Sequence, residues 1–556
     1  MIHPRRRRAP ALLAILLCAG LLALGGCDGG GFEIKIESPP SGDQPPDSGD
    51  PDSPDNGGTE PPSNNPFAGA WVASYGDDRT SGQIQRGPNQ YAALMTIQQS
   101  GASLSGSGRM FRVFREGDTA ADEVSFNISG TASGNSAVID LASSPAGAFS
   151  FTPRLYLRQA GSRMVGMHVE LANNGSVARS GHAVWRRVVS GSVGGSWNAA
   201  YNDLFAGSNT EARSRSAVME LAESGGALSG SGGVVEFRRE GNPLVLDFDV
   251  VRGERSDDHV GWTFGAEDLA NHEVDWYGFF AGNRIAAAYG QFNAEGRLTR
   301  FGHTVWRRAP SPSPSAINHS WVTAFGDAEA ASGIRKSDFI AVVTLQAGEG
   351  GEVTGSAQVY DQGADNPQFR NFNVRNGRIT GSRVRFDLVG ANTTFHWDLR
   401  LGSANMSGAY KYVNQNGDRF ISRGAATWRQ AASSPSLRGT WAAAYFDTHG
   451  FTSPETTQFT TVSISSQEDG QLSGTGALRF AGEDSRRLFN LQGDINGRNI
   501  EWVWSGSDLF GDTLWELRQS GSWLFGTYLN LDSGGNVEAQ GSAAWVRAGS
   551  GTAAIE

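Results

Sequence analysis

The stretch GAWVASYGD at residues 69–77 recurs three more times along the chain of 556 residues. Its counterparts are GSWNAAYND (195–203), HSWVTAFGD (319–327) and GTWAAAYFD (439–447). The opening tryptophans of these stretches are separated by 126, 124 and 120 residues. A fixed order at a nearly fixed spacing indicates an internal repeat. We therefore expect four copies of one domain.

Three further landmarks follow each opening tryptophan in the same order. The second is a run of small residues: LSGSG (104–108), LSGSG (228–232), VTGSA (353–357) and LSGTG (472–476). The third landmark starts at an apolar residue: Met164, Ile285, Met406 and Leu524. The fourth is a closing tryptophan with an arginine directly after it at Trp185, Trp306 and Trp428, and two residues after it at Trp545. The recurrence of all four landmarks supports a fourfold duplication.

Each copy has the pattern of antiparallel β-structure. Segments such as Val124–Ile128 alternate apolar and polar residues, which is typical of half-buried strands. Asn-Gly turns separate them, and 74 glycines argue against long helices. In the first copy eight strands are predicted near Trp71, Met95, Met110, Phe126, Ile139, Leu155, Val169 and Trp185. The predicted fold is all-β, with four tandem antiparallel up-and-down barrels of about eight strands each; a β-sandwich is the alternative.

The landmarks and linkers give the predicted domain boundaries. The predicted segments are a lipoprotein signal peptide (1–26), a lipidated cysteine with a disordered tether (27–66), and β-barrel repeats 1 (67–189), 2 (190–310), 3 (311–431) and 4 (432–548).

The N-terminus predicts export and lipidation. Arg5–Arg8 form a basic run, and an apolar stretch follows from Ala9 to Leu24. The segment ends in Leu-Gly-Gly-Cys27, which resembles the bacterial lipobox. This resemblance implies cleavage before Cys27 and attachment of diacylglycerol to its thiol. We expect a lipid-anchored protein of the bacterial cell envelope, with the outer membrane favoured over the inner one. Asp28 resembles the inner-membrane retention signal of enteric bacteria.

The tether and the charge balance limit the partners. Residues 28–66 are rich in Pro, Gly, Asp and Ser, and such a segment cannot bury enough apolar surface to fold. Without the signal peptide the chain keeps 42 basic and 57 acidic residues, a net charge of −15. So acidic a chain is a poor ligand for nucleic acid, and we expect none as a partner. With Cys27 lipidated, no cysteine remains for a disulfide or a metal site.

The ends of each repeat resemble the lipocalin and wider calycin pattern. In that family a Gly-x-Trp lies on the first strand, and an arginine near the end of the last strand packs across the tryptophan. The resemblance implies this contact for Trp71, Trp197, Trp321 and Trp441, with Arg186 or Arg187, Arg307 or Arg308, Arg429, and Arg547. His319 replaces the glycine in the third copy.

Sequence motifs for catalysis are missing. The chain has no zinc spacing, phosphate loop, nucleophile elbow or HExxH motif. We therefore predict no catalytic residues, no metal site and no cofactor, and a protein that is not an enzyme.

An aspartate lies six residues after each opening tryptophan: Asp77, Asp203, Asp327 and Asp447. Even spacing places the tryptophan, an intervening aromatic residue and the aspartate on one strand face. Two interpretations are open. The aspartate could stabilise the turn after the first strand, or it could be a carboxylate at the barrel mouth.

The tryptophans outside the landmarks are concentrated in the fourth copy. That copy, which we take to be the outermost domain, has Trp502, Trp504, Trp515 and Trp523, whereas the first copy has none. Such residues either fill a core or form an aromatic site for sugars or flat hydrophobes. They are the candidate ligand-binding residues.

Two function classes remain. The first is a non-enzymatic binding or adhesion protein that takes a lipophilic molecule, a glycan or an envelope protein. The second is a structural or spacer lipoprotein without a small ligand.

Overall fold

The computed structural model describes residues 65–80, 89–113, 122–144, 146, 149, 152–172, 174–203, 205–206, 212–265, 273–309, 314–363, 369–402, 405–417, 419–431, 435–450, 456–483, 485–509 and 511–548. The predicted signal peptide, Cys27 and most of the predicted tether lie outside these residues. Within them the chain forms four closed antiparallel barrels in tandem, each with eight long strands. The predicted fold is confirmed.

In every barrel the strands follow chain order, and the first strand closes on the last. Barrel 1 contains β1 (Gly69–Gly76), β2 (Arg79–Thr80), β3 (Gln90–Ser100), β4 (Ser103–Val113), β5 (Asp122–Ser133), β6 (Ser136–Ser144), β7 (Thr152–Ala160), β8 (Arg163–Leu171) and β9 (Val177–Arg187). Barrel 2 contains β10 (Gly195–Asn202), β11 (Phe205–Ala206), β12 (Ser214–Ser224), β13 (Ala227–Phe237), β14 (Leu244–Ser256), β15 (His259–Gly265), β16 (Glu273–Ala281), β17 (Arg284–Phe292) and β18 (Leu298–Arg308).

A short 3-10 helix (Pro314–Ile317) leads into barrel 3. Barrel 3 contains β19 (Ser320–Gly326), β20 (Glu329–Ala330), β21 (Asp338–Ala347), β22 (Glu352–Asp361), β23 (Phe369–Thr380), β24 (Arg383–Val389), β25 (Thr393–Leu401), β26 (Asn405–Asn414) and β27 (Phe420–Gln430). Barrel 4 contains β28 (Gly439–Gly450), β29 (Thr457–Glu468), β30 (Gln471–Phe480), β31 (Arg487–Asn496), β32 (Asn499–Ser505), β33 (Thr513–Ser520), β34 (Trp523–Leu531) and β35 (Val537–Arg547).

The pairing of the first strand with the last is irregular beside the aspartate in every barrel. In barrels 1 to 3 a two-residue strand continues beyond that point and pairs with the last strand of its barrel. In barrel 4 the strand is continuous, and its pairing with β35 shifts register between Asp447 and His449. A β-bulge of this kind bends and twists a strand, so the aspartate lies where the first strand changes partner.

The opening tryptophans anchor one end of each barrel core. Each is fully buried, and its indole Nε1 donates a hydrogen bond to the carbonyl oxygen four residues earlier, with N···O distances of 2.8 to 3.0 Å. The residues that accept these bonds are apolar and fully buried: Phe67, Val193, Ile317 and Leu437. The tryptophan therefore fixes the chain that enters the barrel as well as the core.

An arginine covers the opening tryptophan in three barrels. Its guanidinium carbon lies 4.5 to 5.0 Å from the ring centroid in the pairs Arg187–Trp71, Arg308–Trp197 and Arg547–Trp441. In barrel 3, Gln430 pairs with Trp321 in the sheet, and the guanidinium of Arg429 lies 4.6 Å from the ring of Trp523 in barrel 4. Alternate strand residues face opposite sides, so Arg429 projects outward where the resemblance implied a contact with Trp321.

The second landmark, the run of small residues, allows the third long strand of barrel 1, β4, to lie close to its neighbours β3 and β5. A Cβ at Gly106 would collide with the carbonyl oxygen of Thr96, and the φ of Gly106 is +152°. A Cβ at Gly108 would collide with the ring of Phe126. Glycine is therefore required at both positions by close approach of the neighbouring strands.

The four barrels pack head to tail in a closed ring. The outer face of the first strands of barrel 1 packs against the last strands of barrel 2, and the same relation joins barrels 2 and 3, barrels 3 and 4, and barrels 4 and 1. Head-to-tail interfaces form a ring when the rotation between successive units closes. Barrel 4 therefore lies against barrel 1 and is not the far end of an extended array.

One buried position recurs in all four interfaces. This position is at the start of the second long strand and pairs in the sheet with the residue that precedes each aspartate. Its side chain is 0% exposed in all four barrels, where the residues are Gln90, Ser214, Asp338 and Thr457. In three interfaces it forms a hydrogen bond with the next barrel: Gln90 Oε1 with His303 Nδ1 (2.5 Å), Asp338 Oδ2 with Gln540 Nε2 (3.4 Å), and Thr457 Oγ1 with Ser180 Oγ (2.9 Å). The interfaces are thus related by the duplication.

Candidate functional site

The repeated aspartates form hydrogen bonds at the start of the second long strand of each barrel, which is β3, β12, β21 or β29. Each carboxylate accepts a hydrogen bond from the backbone N–H of the residue just before that strand, at 2.8 to 2.9 Å. The donors are Asn89, Arg213, Ser337 and Thr456. The backbone N–H of each aspartate donates in return to the carbonyl oxygen of the same residue. This reciprocal pair joins the two ends of the loop between the first strands.

A residue of the seventh long strand supplies the second donor. Tyr289, Tyr410 and Tyr528 donate to Oδ1 of the aspartate in barrels 2, 3 and 4, at 2.6, 2.7 and 2.6 Å. In barrel 1 the position is His168, whose Nε2 lies 3.0 Å from Oδ1 of Asp77. Burial, followed by the charge of the aspartate, raises the pKa of Tyr289, Tyr410 and Tyr528. These tyrosines are therefore protonated donors.

Barrels 1 and 2 extend this node into buried charge networks. In barrel 1 the guanidinium of Arg179 contacts Asp77 and Glu170, both at 3.2 Å. In barrel 2, Arg215 contacts both Asp203 and Glu236.

In these networks, the attraction between opposite charges offsets the cost of burying them. Burial raises the pKa of Glu236, but the nearby guanidinium groups outweigh it and lower the pKa to about 2. The side chains of Asp77 and Asp203 are 0% exposed. A buried charge is tolerated when it is paired and hydrogen-bonded. The carboxylates of Asp77 and Asp203 are therefore bound by protein groups and are inaccessible to a ligand in this structure.

Three of the four candidate ligand-binding tryptophans lie in the core of barrel 4. Trp502, Trp504 and Trp515 are 0 to 2% exposed. Trp504 stacks on Phe489 with ring centroids 4.4 Å apart, and all three rings contact the closing Trp545. Their faces are occupied by neighbouring side chains, so we do not place a binding surface on them.

Trp523 has a different position, at the junction of three barrels. Guanidinium carbons lie near its ring from barrel 1 (Arg163 at 4.7 Å and Arg186 at 5.4 Å) and from barrel 3 (Arg429 at 4.6 Å). It packs in an apolar cluster that includes Val165 of barrel 1 and Val322 of barrel 3. Trp523 thus joins barrels 1, 3 and 4.

Barrel 2 contains a small internal cavity. The cavity in barrel 2, beside Arg215 and Glu236, has a volume of about 20 Å³. A water molecule needs about 10–15 Å³ by the same measure. It can hold a solvent molecule but no lipophilic ligand.

Larger grooves lie between the barrels. The groove between barrels 1 and 4 has a volume of about 560 Å³, in the range of small-ligand sites. The β5–β6 turn and β7 form its wall on barrel 1, and β29, β30 and Arg486 form its wall on barrel 4. Three arginines line it: Arg158, Arg479 and Arg486. None of its lining residues, all of which belong to the described ranges, is acidic.

Sequence reasoning did not find this groove. Arg158 lies on the outer face of β7, and Arg479 on the outer face of β30, and nothing in the repeat pattern says which outer faces meet. A difference between the copies could have pointed to the groove. Seven residues after the start of the second landmark, the fourth copy has Arg479, whereas the other three copies have Phe111, Val235 and Tyr360.

Two other features bear on the chemistry. In the described part of the chain, no group of three or more His, Cys, Asp or Glu residues is arranged to hold a metal ion. The described residues also include no helix that is long and apolar enough to cross a membrane.

Comparisons with known proteins give distant structural similarities only. No family model and no curated protein matches the chain. A DUF3598-family protein of unknown function from Nostoc punctiforme aligns with 12% identity over 43% of this chain and 96% of its own, at a TM-score of 0.16. Transferrin binding protein B from Neisseria meningitidis aligns with 7% identity over 70% of this chain and 85% of its own, at 0.19. A double mutant of transferrin binding protein B from Haemophilus parasuis aligns with 7% identity over 86% and 94%, at 0.17. At TM-scores below 0.5 these alignments carry no inference about function.

Proposed function

We propose that the chain is a lipid-anchored protein of the bacterial cell envelope, with the outer membrane favoured, and that it binds a ligand without catalysis. The ligand lies in a groove between barrels and not inside a barrel. The contrast between the cavity of about 20 Å³ in barrel 2 and the groove of about 560 Å³ between barrels 1 and 4 carries this proposal.

The ring closure argues against a spacer. A spacer gains reach when its domains extend in a line. Here barrel 4 returns to barrel 1, and Ser180 and Thr457 join them across 277 residues. Four barrels in a ring add little reach, but they create grooves that a single barrel would not have.

Native mass spectrometry of the full chain, purified from membranes in detergent, tests where the ligand lies. We expect a mass that is explained by the mature polypeptide and its lipid, with no apolar molecule retained in the barrels. A stoichiometric lipophilic ligand that survives removal of the detergent would place binding inside a barrel and overturn the proposal.

Anchoring is tested separately at the cysteine. Cys27→Ser should leave an unprocessed precursor, because the hydroxyl cannot form the thioether. Cys18→Ser, within the predicted signal peptide, is the control and should be processed and lipidated normally. A Cys27→Ser protein that is processed and soluble would contradict lipidation.

A further inference from the structure

The groove between barrels 1 and 4 differs in charge from its counterparts at the other interfaces. Two outward positions of the sixth long strand, eight and six residues before the third landmark, face the neighbouring barrel. The first position holds Tyr156, Tyr277, Asp398 and Glu516 in barrels 1 to 4. The second holds Arg158, Phe279, Arg400 and Arg518.

At the other three interfaces, an arginine at the second position is accompanied by an acid at the first, or both positions are aromatic. In barrel 3, Nη1 of Arg400 donates to Oδ1 of Asp398 at 3.0 Å. In barrel 4, Arg518 has Glu516 two residues before it on the same strand face, and its Nη1 donates to the carbonyl oxygen of Leu517 at 2.6 Å. Between barrels 1 and 2 the positions are aromatic and pack against Phe111, with ring centroids 5.6 Å from Tyr277 and 5.4 Å from Phe279.

At the groove between barrels 1 and 4 an arginine is present, but the acid is replaced by Tyr156. Barrel 4 adds two more cations: Arg479, whose guanidinium lies 4.6 Å from the ring of Tyr156, and Arg486. Arg158 is 9% exposed and donates to Oγ of Ser136 at 3.1 Å. Its Nε is buried without a hydrogen-bond partner in the described part of the chain. Burial, and then the charge of Arg486, lower the pKa of Arg158.

We propose that the groove between barrels 1 and 4 binds a small polyanion, a molecule with at least two carboxylate or phosphate groups. The site rests on the proposed binding function. Three guanidinium groups with no lining acid, in a chain that is acidic overall, form a local cationic site. Guanidinium groups match the planar geometry of carboxylate and phosphate. Hydroxyl groups of Ser133, Thr461 and Ser463 also line the groove and can donate to further oxygens.

Isothermal titration calorimetry tests the site on the full chain, purified from membranes in detergent at low salt. Citrate is the carboxylate probe and pyrophosphate is the phosphate probe. We expect one of them to bind with one-to-one stoichiometry, and the identity of that probe tells carboxylate from phosphate. Affinity should fall as salt is raised, since the site is open to solvent.

Two substitutions and a control locate the binding. Arg486→Gln removes an exposed charge and should weaken binding about tenfold or more, the loss expected for one charged hydrogen bond. Tyr156→Glu introduces the acid found at Glu516 and should weaken binding, because one carboxylate offsets part of the charge of the three guanidinium groups. Arg498→Gln removes an exposed charge on the β31–β32 turn of barrel 4 and should leave affinity unchanged.

The thermal midpoint of each variant shows whether it folds, and Arg486→Gln covers the case in which Tyr156→Glu does not. The proposal is overturned if neither probe binds, or if Arg486→Gln binds as tightly as the parent. Binding of a polyglutamate peptide but of neither small probe would overturn it in favour of an acidic protein partner. These outcomes are independent of the mass measurement, which tests the barrel interiors.

Discussion

Tyr528 donates a hydrogen bond of 2.6 Å to Oδ1 of Asp447, and the two residues lie on the seventh and first strands of barrel 4. The equivalent pairs are Tyr289–Asp203 and Tyr410–Asp327 in barrels 2 and 3. Pairs that are 81 to 86 residues apart thus fix the same end of barrels 2, 3 and 4. Duplication has kept the pair, whereas the outer faces of the barrels have diverged.

Removal of one hydroxyl should therefore weaken barrel 4. In Tyr528→Phe, Asp447 keeps its bonds from Thr456 and Gln458 but loses a buried donor. We expect a loss of about 1.5–3 kcal/mol, the usual contribution of a hydrogen bond to a charged group. Thermal unfolding followed by tryptophan fluorescence measures it. Tyr445→Phe, which removes a neutral bond to Thr460, is the control and should cost less. An equal or smaller loss for Tyr528→Phe would contradict the role of the aspartate pair.

The tryptophan cluster of barrel 4 gives a second prediction. Trp502→Ala with Trp504→Ala removes two fully buried rings, and each should cost about 3–5 kcal/mol. We expect barrel 4 to unfold, as a loss of its near-ultraviolet circular dichroism. Leu488→Ala, at a side chain 54% exposed in the same barrel, should have little effect. If the double variant keeps its stability and instead loses binding to a ligand, the tryptophans belong to a site and not to the core.

The inner faces of the barrels could be predicted from the sequence because the duplication repeats them. Trp71 and its counterparts fix the start of each barrel, and alternation from Val124 to Ile128 fixes a strand that faces the core. Asp77 recurs with its spacing, so its place beside the first turn followed from the pattern, although its hydrogen bond to His168 did not.

The outer faces could not be predicted in the same way. Ring closure depends on contacts between residues such as Ser180 and Thr457, which are far apart in the chain and differ between copies. Arg158 is an outward residue of one strand and gains its significance only because Arg479 of barrel 4 faces it. The sequence order suggested that barrel 4 was the outermost domain, and the ring places it beside barrel 1.

The junction at Trp523 gives a third prediction. Cation–π contacts with Arg163, Arg186 and Arg429 are each worth about 0.5–2 kcal/mol. Trp523→Leu should loosen the contact among barrels 1, 3 and 4 while each barrel stays folded. We expect faster amide hydrogen exchange in β8, β9 and β27. Leu488→Ala serves again as the control, because it alters an exposed residue of the same barrel. Unchanged exchange in those strands would show that the ring does not depend on Trp523.

Asp338 makes the interface between barrels 3 and 4 sensitive to pH. It is 0% exposed and accepts hydrogen bonds from Thr448 (3.0 Å) and Gln540 (3.4 Å). Burial raises the pKa of Asp338 to about 6, whereas an unfolded aspartate has a pKa near 3.9. Between about pH 4 and 6 the folded protein therefore holds a proton that the unfolded chain has released, so stability falls as the pH rises through this range and stays low above it.

The full shift of about two pKa units corresponds to about 3 kcal/mol at pH 8. Asp338→Asn keeps the shape of the side chain and cannot ionise. We therefore expect the variant to have a higher thermal midpoint than the parent at pH 8, and the difference to shrink towards pH 5. Scanning calorimetry at several pH values measures both proteins. Asp469→Asn, in the exposed β29–β30 turn, is the matched control and should follow the parent at every pH. If Asp338→Asn is less stable than the parent at pH 8, then the ionised carboxylate contributes more to the interface through Thr448 and Gln540 than its burial costs.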